Sequence, residues 1–307
     1  CHFYLHICKL FCNFAAYYMT NFFQTYAARS LFERSIYIEL DPSCSCLAEI
    51  QGCGPTKRAI IQGGFRIEPQ SATSSSECLE APTLNSTLAL MRQMRIQARR
   101  HGCIYAEMRC FDDYSPFHSS LVQAGWTYIP HYDVIIYPDR EVPETKMRQI
   151  NAAQAQGQTW REANSEDDVR DFYHCLSTLY RTKVHRPLPP LRFFIQAWRN
   201  GITLLVVTQN TPQPHIVGGV LMPILNSIAY EWYICGQVMS TWAMISYCRN
   251  NHITLIDMMG AGEPNVPYGV RDFKLQMGGE LKEWGRYITI LHPLIYRLGK
   301  WWINRHR

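Results

Sequence analysis

Residues 257–274, DMMGAGEPNVPYGVRDFK, set a glycine turn, Gly260-Ala261-Gly262, ahead of Tyr268, Arg271 and Lys274. Lys274 and Arg271 supply fixed positive charge, which a site needs if it is to stabilise an oxyanion or hold a phosphate. Two acids in otherwise apolar stretches, Glu231 in AYEWYIC and Asp257 in LIDMMG, offer the complementary property. Burial raises a carboxyl pKa toward the range useful for proton transfer, unless a cation or a hydrogen bond opposes it. The same carboxylates suit a structural role equally well, paired with Arg271 or with backbone donors across the strands. Lys274, Asp257 and Glu231 are therefore the catalytic candidates. Arg271, Tyr268, Gly260, Gly262 and Tyr233 are the substrate-binding ones.

The glycine turn excludes two common phosphate devices. It lacks the third glycine of a dinucleotide fingerprint, and no Gly-Lys-Ser/Thr follows it. It does leave the C-terminal edge of an apolar strand, where α/β proteins place ligands, and Pro264 and Pro267 stiffen the exit. Periodicity predicts a helix from about 267, with Val270, Phe273 and Met277 facing the core and Tyr268 and Arg271 facing outward. Lys274 falls at the border, where a stem can pack while its ammonium stands over a cleft. A solvated helix face with a capping arginine is the alternative.

Around this stretch the chain must build a scaffold. Its 307 residues are 47% hydrophobic and 18% charged, enough for one large domain or two of ordinary size. The net charge of +5 suits an anionic ligand without being a nucleic-acid footprint. The 12 cysteines show no C-x2-C pair and the 11 histidines no ligand spacing, so neither a metal site nor a covalent triad is supported. A reducing, cytoplasmic setting fits them best. The apolar start, CHFYLHICKLFCNFAAYY, is a poor signal peptide and too interrupted for a confident span. Residues 1–18 are read as upstream translation ahead of Met19, with a membrane-lying anchor as the other reading.

The order of elements contains a repeat. NFFQTYAARSLFE reads as a helix, SIYIEL and RAIIQGGFRIEP as strands, SATSSSECLEAPT as a loop and STLALMRQMRIQARR as a helix. There follow a strand CIYAEMRC, a helix near 115–124 and a long strand WTYIPHYDVIIYP. About 150 residues later the order recurs: a helix STWAMISYCRNN, ITLIDMMG, a helix near 267–277, and ELKEWGRYITILHP. Glu107, with Arg109 close by, falls in the first copy where Asp257 lies in the second. Two related α/β units in tandem are implied, 19–142 and 143–307. In the second, helices at PETKMRQINAAQAQG, EDDVRDFYHCLSTLY and LRFFIQAWR precede three strands, ITLLVV, HIVGGVLMPI and SIAYEWYIC. That order resembles the GCN5-related acyltransferase (GNAT) fold, an α/β (α+β) class of mixed sheets flanked by helices in which two strands splay apart at the acceptor site.

Several segments carry a narrower resemblance. YEWYICG, IDMMGAGEP, PYGVRDFKLQMGGEL and GRYITILHPLIYRLGK look like the C-terminal half of the Fem-type peptidoglycan-bridge aminoacyltransferases. MRQINAAQAQG and VRDFYHCLSTLYRTKVHRPLPP match the same family upstream, and NFFQT with YAEMR…GWTYIPHYDVII match its first domain more loosely. The resemblance spans roughly 19–300. It implies tandem GNAT domains that move an amino acid from aminoacyl-tRNA to the amine of a peptidoglycan precursor, lipid II or its nucleotide-linked form, at the inner membrane face. The family's phenylalanine–lysine pair falls on Phe273 and Lys274, and that lysine is taken to stabilise the charged intermediate. No cofactor is implied. Acetyl-CoA belongs to the alternative, an ordinary N-acyltransferase, and a non-catalytic precursor-binding relative is a further one. Coenzyme A enzymes carry an R/Q-x-x-G-x-G/A loop where this chain has only CGQVMSTW, so the amides for a pyrophosphate are missing. Relatives also have a longer loop between Gly236 and Thr241, and often a lysine in place of Glu263.

Overall fold

The computed structural model describes residues 21–67, 81–210 and 213–305. The extension 1–18, the start at Met19 and most of the loop 71–83 lie outside them. The chain divides into two compact units. One runs to His131 and resumes at Trp284, and the other is Tyr132–Glu283.

In the first unit α1 (Tyr26–Leu31) begins only after a short 3-10 turn, because the extended Thr25 caps the amide of Ala28 with its hydroxyl at 3.3 Å. Strands β1 (Ser35–Asp41), β2 (Cys44–Gln51), β3 (Arg58–Gln62) and β4 (Arg66–Ile67) follow, then α2 (Ala81–Arg100) and β5 (Tyr105–Arg109). Helix α3 (His118–Gln123) and β6 (Thr127–Ile129) complete the run. The helix α2 lays Leu90, Met91, Met94 and Ala98 onto this sheet, the 3–4 spacing that buries one stripe of a helix.

The second unit contains β7 (Asp133–Ile136), α4 (Glu144–Ala155), β8 (Gln158–Glu162), α5 (Glu166–Leu179) and α6 (Leu191–Arg199). After them come β9 (Thr203–Gln209), β10 (His215–Met222), β11 (Ile224–Leu225), β12 (Ile228–Tyr230) and β13 (Tyr233–Cys235). Helix α7 (Gln237–Asn250), β14 (Leu255–Gly260), α8 (Gly269–Gln276) and β15 (Glu280–Lys282) close it. Strand β16 (Arg286–Ile290) and helix α9 (Pro293–Arg305) belong to the first unit.

The units therefore exchange a strand. In the first, β16 lies between β5 and β6, in the order β1-β2-β3-β5-β16-β6, with β4 on β2. In the second, β7 lies between β14 and β15, in the order β11-β12-β14-β7-β15. A tandem boundary at 142/143 does not describe this arrangement: residues 132–142 fall in the second unit and 284–307 in the first. The two long strands of the repeat each break in the middle, after Ile129 and after Lys282. Pro130 has no amide to donate to a ladder, and Gly285 turns the chain with φ 73°. A Cβ on Gly285 would stand 2.1 Å from the Tyr128 ring, so only glycine fits the crossing. Each exchanged strand is a core element where it lands. Tyr287 is 1% exposed and bonds His118 Nδ1 at 3.0 Å, and Val134 is fully buried.

Candidate acyl-transfer site

The expected strand SIAYEWYIC serves two sheets. Its first half, β12, runs parallel to β14 with Tyr230 opposite Asp257. Its second half, β13, pairs antiparallel with β10, Cys235 opposite Gly219. The changeover falls at Glu231 and Trp232. The Glu231 amide still donates to Asp257 O at 2.9 Å, whereas the next amide, that of Trp232, turns to Leu221 O at 3.2 Å. Beyond Glu231 the strands β13 and β14 diverge, and a fork opens between them.

Strand β14 leaves the fork irregularly. Its register with β7 slips between Asp257 and Gly260, and Met259 takes a left-handed φ of 58°. This bulge presents three consecutive carbonyls, of Met258, Met259 and Gly260, to one side chain. That side chain is Lys274, on α8. Its ammonium donates to Met258 O, reaches Gly260 O at 3.3 Å and Met259 O at 3.4 Å, and stands 3.3 Å from Glu231 Oε1. The two side chains of this ion pair are each 6% exposed. Lys274 is thus enclosed, and its ammonium does not stand free over a cleft as its border position suggested. The helix faces differ from expectation accordingly. Met277 is buried, Phe273 is half-buried under the Lys146 ammonium 5.0 Å from its ring, and Val270 is 46% exposed.

Two carboxyls here hold protons more tightly than usual. Burial pushes the Glu231 carboxyl up, against the lowering effect of Lys274. Burial also pushes Asp257 well up, with the Asp133 carboxylate adding to it, although the Met259 amide donates to Asp257 Oδ1 at 2.6 Å. Asp133, a lone acid inside the apolar DVII of β7, was not among the candidates. What would have found it is the exchange of β7 into this unit, which sets it opposite Gly260 and Lys282.

The remaining candidates form the rim. Arg271 pins the glycine turn from within: Nη1 donates to Glu263 O at 3.0 Å, Nη2 to Val266 O at 2.6 Å, and the guanidinium lies 5.7 Å from the Tyr132 ring centroid. It pairs with neither Glu231 nor Asp257. Gly262 has φ 84°, and a Cβ there would come within 3.0 Å of the Tyr268 ring. Gly260 ends β14, and Tyr268 precedes α8 with about a third of its surface exposed. Tyr233 packs its ring against Phe194 at 5.1 Å, Trp232 at 5.5 Å and Tyr180 at 6.5 Å. Tyr180 begins a π-helical turn, Tyr180–Val184, of the kind that concentrates at functional sites. Burial raises its hydroxyl pKa, and Tyr268 and Cys235 raise it further while Arg186 lowers it. Tyr180 and Tyr233 therefore share one aromatic edge beside the fork, while Tyr268 lies against Gly262. In sequence Tyr180 is hidden inside the stripe of a longer helix.

The start of α7 is tightly closed. One residue, Gly236, with φ 92°, connects it to β13. A Cβ on Gly218 would stand 2.6 Å from Gly236 Cα, so strand end and helix start pack backbone to backbone.

No family model matches the chain, and no curated protein matches it. Solved structures do. FemX superposes with TM-score 0.63 at 11% identity, over 91% of this chain and 94% of FemX. The C-terminal domain of a protein named as a lysylphosphatidylglycerol synthetase, from Agrobacterium fabrum, gives 0.56 at 12% identity, covering 85% of each chain. A tandem GNAT protein from the clavulanic acid biosynthesis pathway gives 0.50 at 13%, covering 81% of this chain and 79% of its own. The chain has the Fem-like twin GNAT fold, the fold of acyltransferases of the GNAT and Fem type. Among the described residues no helix is long and apolar enough to cross a membrane.

Proposed function

We propose that the second unit is an aminoacyl-transfer centre of Fem type, moving an amino acid from aminoacyl-tRNA to the amine of a peptidoglycan precursor. The observation that carries this reading is the Glu231–Lys274 pair at the strand fork, 3.3 Å apart and nearly enclosed. The acceptor nitrogen attacks the ester carbonyl carbon. The new C–N bond forms, the carbonyl-to-ribose C–O bond breaks, and the ribose oxygen leaves with a proton. Glu231 takes the proton that the attacking amine gives up and passes it to the departing ribose oxygen, a task suited to a carboxyl whose pKa burial has raised. Lys274, its donors turned to carbonyls, holds Glu231 in place and supplies a fixed positive charge near the developing oxyanion. Asp257, its carboxyl pushed well up by burial, accepts from the Met259 amide and shapes the bulge.

Two observations favour an aminoacyl ester over acyl-CoA as donor. The one-residue turn at Gly236 leaves no loop in which to cradle a pyrophosphate. The superposed neighbours include FemX and a protein whose name joins lysine to a phospholipid. The test offers labelled aminoacyl-tRNA and labelled acetyl-CoA separately, with lipid II or its nucleotide precursor as acceptor. Transfer from tRNA that Glu231→Gln lowers about a hundredfold or more supports the reading. Transfer from acetyl-CoA alone makes the protein an ordinary N-acyltransferase, and binding without transfer makes it a precursor-binding relative.

A further inference from the structure

The first unit carries a surface that acyl transfer does not use. A cleft of about 510 Å³ is lined by Arg92, Arg95 and Arg99 of α2, with Ile96, Ile290 and Leu291 between them. The three arginines lie three and four residues apart on one helix, which puts them on one face. All three are exposed. No acid offsets them within their own helix, since 81–106 contains no Asp or Glu.

Leu291 lines the cleft, and two residues later Pro293 begins α9. That helix docks through Tyr296, whose ring meets Tyr105 edge-on at 5.6 Å. Its opposite face is bare. Leu294 is 76% exposed, Leu298 67% and Trp301 58%. Their i, i+4, i+7 spacing makes one apolar stripe, and Ile290 and Ile96, at the cleft, are 41% and 51% exposed. Arg297 flanks the stripe, and the Arg305 guanidinium stacks 5.1 Å from the Trp301 ring centroid. From Trp284 to the end of the chain there is again no acid.

From this geometry we propose that the α9 stripe and the arginine cleft together bind the surface of a bilayer containing anionic phospholipid. An exposed leucine–tryptophan stripe edged by arginines lies in a membrane interface at the level of the acyl-chain boundary. The cleft then receives the phosphates of neighbouring headgroups, and its isoleucines pack against the lipid. A neutral surface would satisfy the leucines and leave the arginines unpaired. A nucleic acid would satisfy the arginines and leave Leu294 and Leu298 in water. The acid-free sequence on both elements selects a partner that is both apolar and anionic. The surface stands or falls without the transfer reaction.

The test is sedimentation of the whole protein with phosphatidylcholine vesicles, with and without phosphatidylglycerol, at ~0.1 M salt. We expect binding to the anionic vesicles at least tenfold tighter than to phosphatidylcholine alone, weakening as salt rises. Arg92→Gln, Arg95→Gln and Arg99→Gln each lower it about fivefold. Leu298→Glu lowers it at least tenfold with an unchanged thermal melt. Should that variant misfold, the wild-type comparison of the two vesicles and the salt series still decide. The proposal is overturned by absence of binding to anionic vesicles, or by equal binding to both compositions. It is overturned equally if the protein ignores vesicles and either self-associates through Leu298 or binds a short RNA duplex through the arginines.

Discussion

Lys274 Nζ and Glu231 Oε1 face each other at 3.3 Å where the strand through 228–235 leaves one sheet for another. The pair sits where the carbonyls of Met258, Met259 and Gly260 converge on the ammonium. Position and charge are thus joined in one contact, and removing either partner has a distinct consequence.

Lys274→Met removes the ammonium from a buried carboxyl and from three carbonyls. Breaking a buried pair from one side costs about 3–5 kcal/mol. Lys274→Met with Glu231→Gln removes both charges and costs less than the sum of the two single changes. Urea unfolding of the four proteins measures the coupling, and additive losses would show that the pair does not interact.

Asp257 and Glu231 give stability a pH dependence of definite sign. Both carboxyls are raised in the folded protein, mainly by burial. Their contribution is fully present below the ordinary carboxylate range and is lost as pH climbs through the raised values. Asp257→Asn keeps a neutral group of the same shape and flattens that loss. Urea midpoints from about pH 4 to pH 8 in the two proteins report the difference.

Glu107 runs the other way. Burial raises its carboxyl, but Arg109, at 3.0 Å, and Arg286, at 2.7 Å, outweigh this and leave it lowered. Its stabilisation is present above the ordinary carboxylate value and fades as pH falls through the lowered one. Arg286 stands on the exchanged strand β16, so Glu107→Gln loosens that strand. Protection of the β16 amides against exchange falls in the variant at neutral pH, and the wild type loses the same protection only in acid.

Gly285→Ala tests the crossing that exchanges the strands. The substitution puts a Cβ against the Tyr128 ring at a position with φ 73°. Strain and overlap together cost about 2–4 kcal/mol. Thermal melts report the loss, and a melt within half a degree of wild type would contradict the geometry.

Much of this architecture is legible in the sequence. The repeated run of helix, strand, helix and strand, and the acids at Glu107 and Asp257, led to a twin GNAT fold that the superposition on FemX shares. The exchange was hidden because WTYIPHYDVIIYP and ELKEWGRYITILHP are each one apolar run, and nothing local tells which sheet a strand joins. Strand β2, CSCLAEIQ, passed unread because small residues and cysteines carry little alternation. Periodicity sets Lys274 at a border because it sees only the residue's own helix. Its burial depends on acceptors 14 to 43 positions away, at Gly260 O and Glu231 Oε1. Arg271, beside the glycine turn, looked free for a phosphate and is instead spent on the carbonyls of Glu263 and Val266.

The most direct test of the account is the rate of label transfer from aminoacyl-tRNA to the precursor amine in wild type, Glu231→Gln and Lys274→Ala. Each variant is assayed below its own melting point, so that lost folding is not read as lost chemistry. The account predicts transfer by the wild type and a loss of about a hundredfold or more in folded Glu231→Gln. Undiminished transfer by Glu231→Gln would contradict it, because the carboxyl at the fork would then have no part in the reaction.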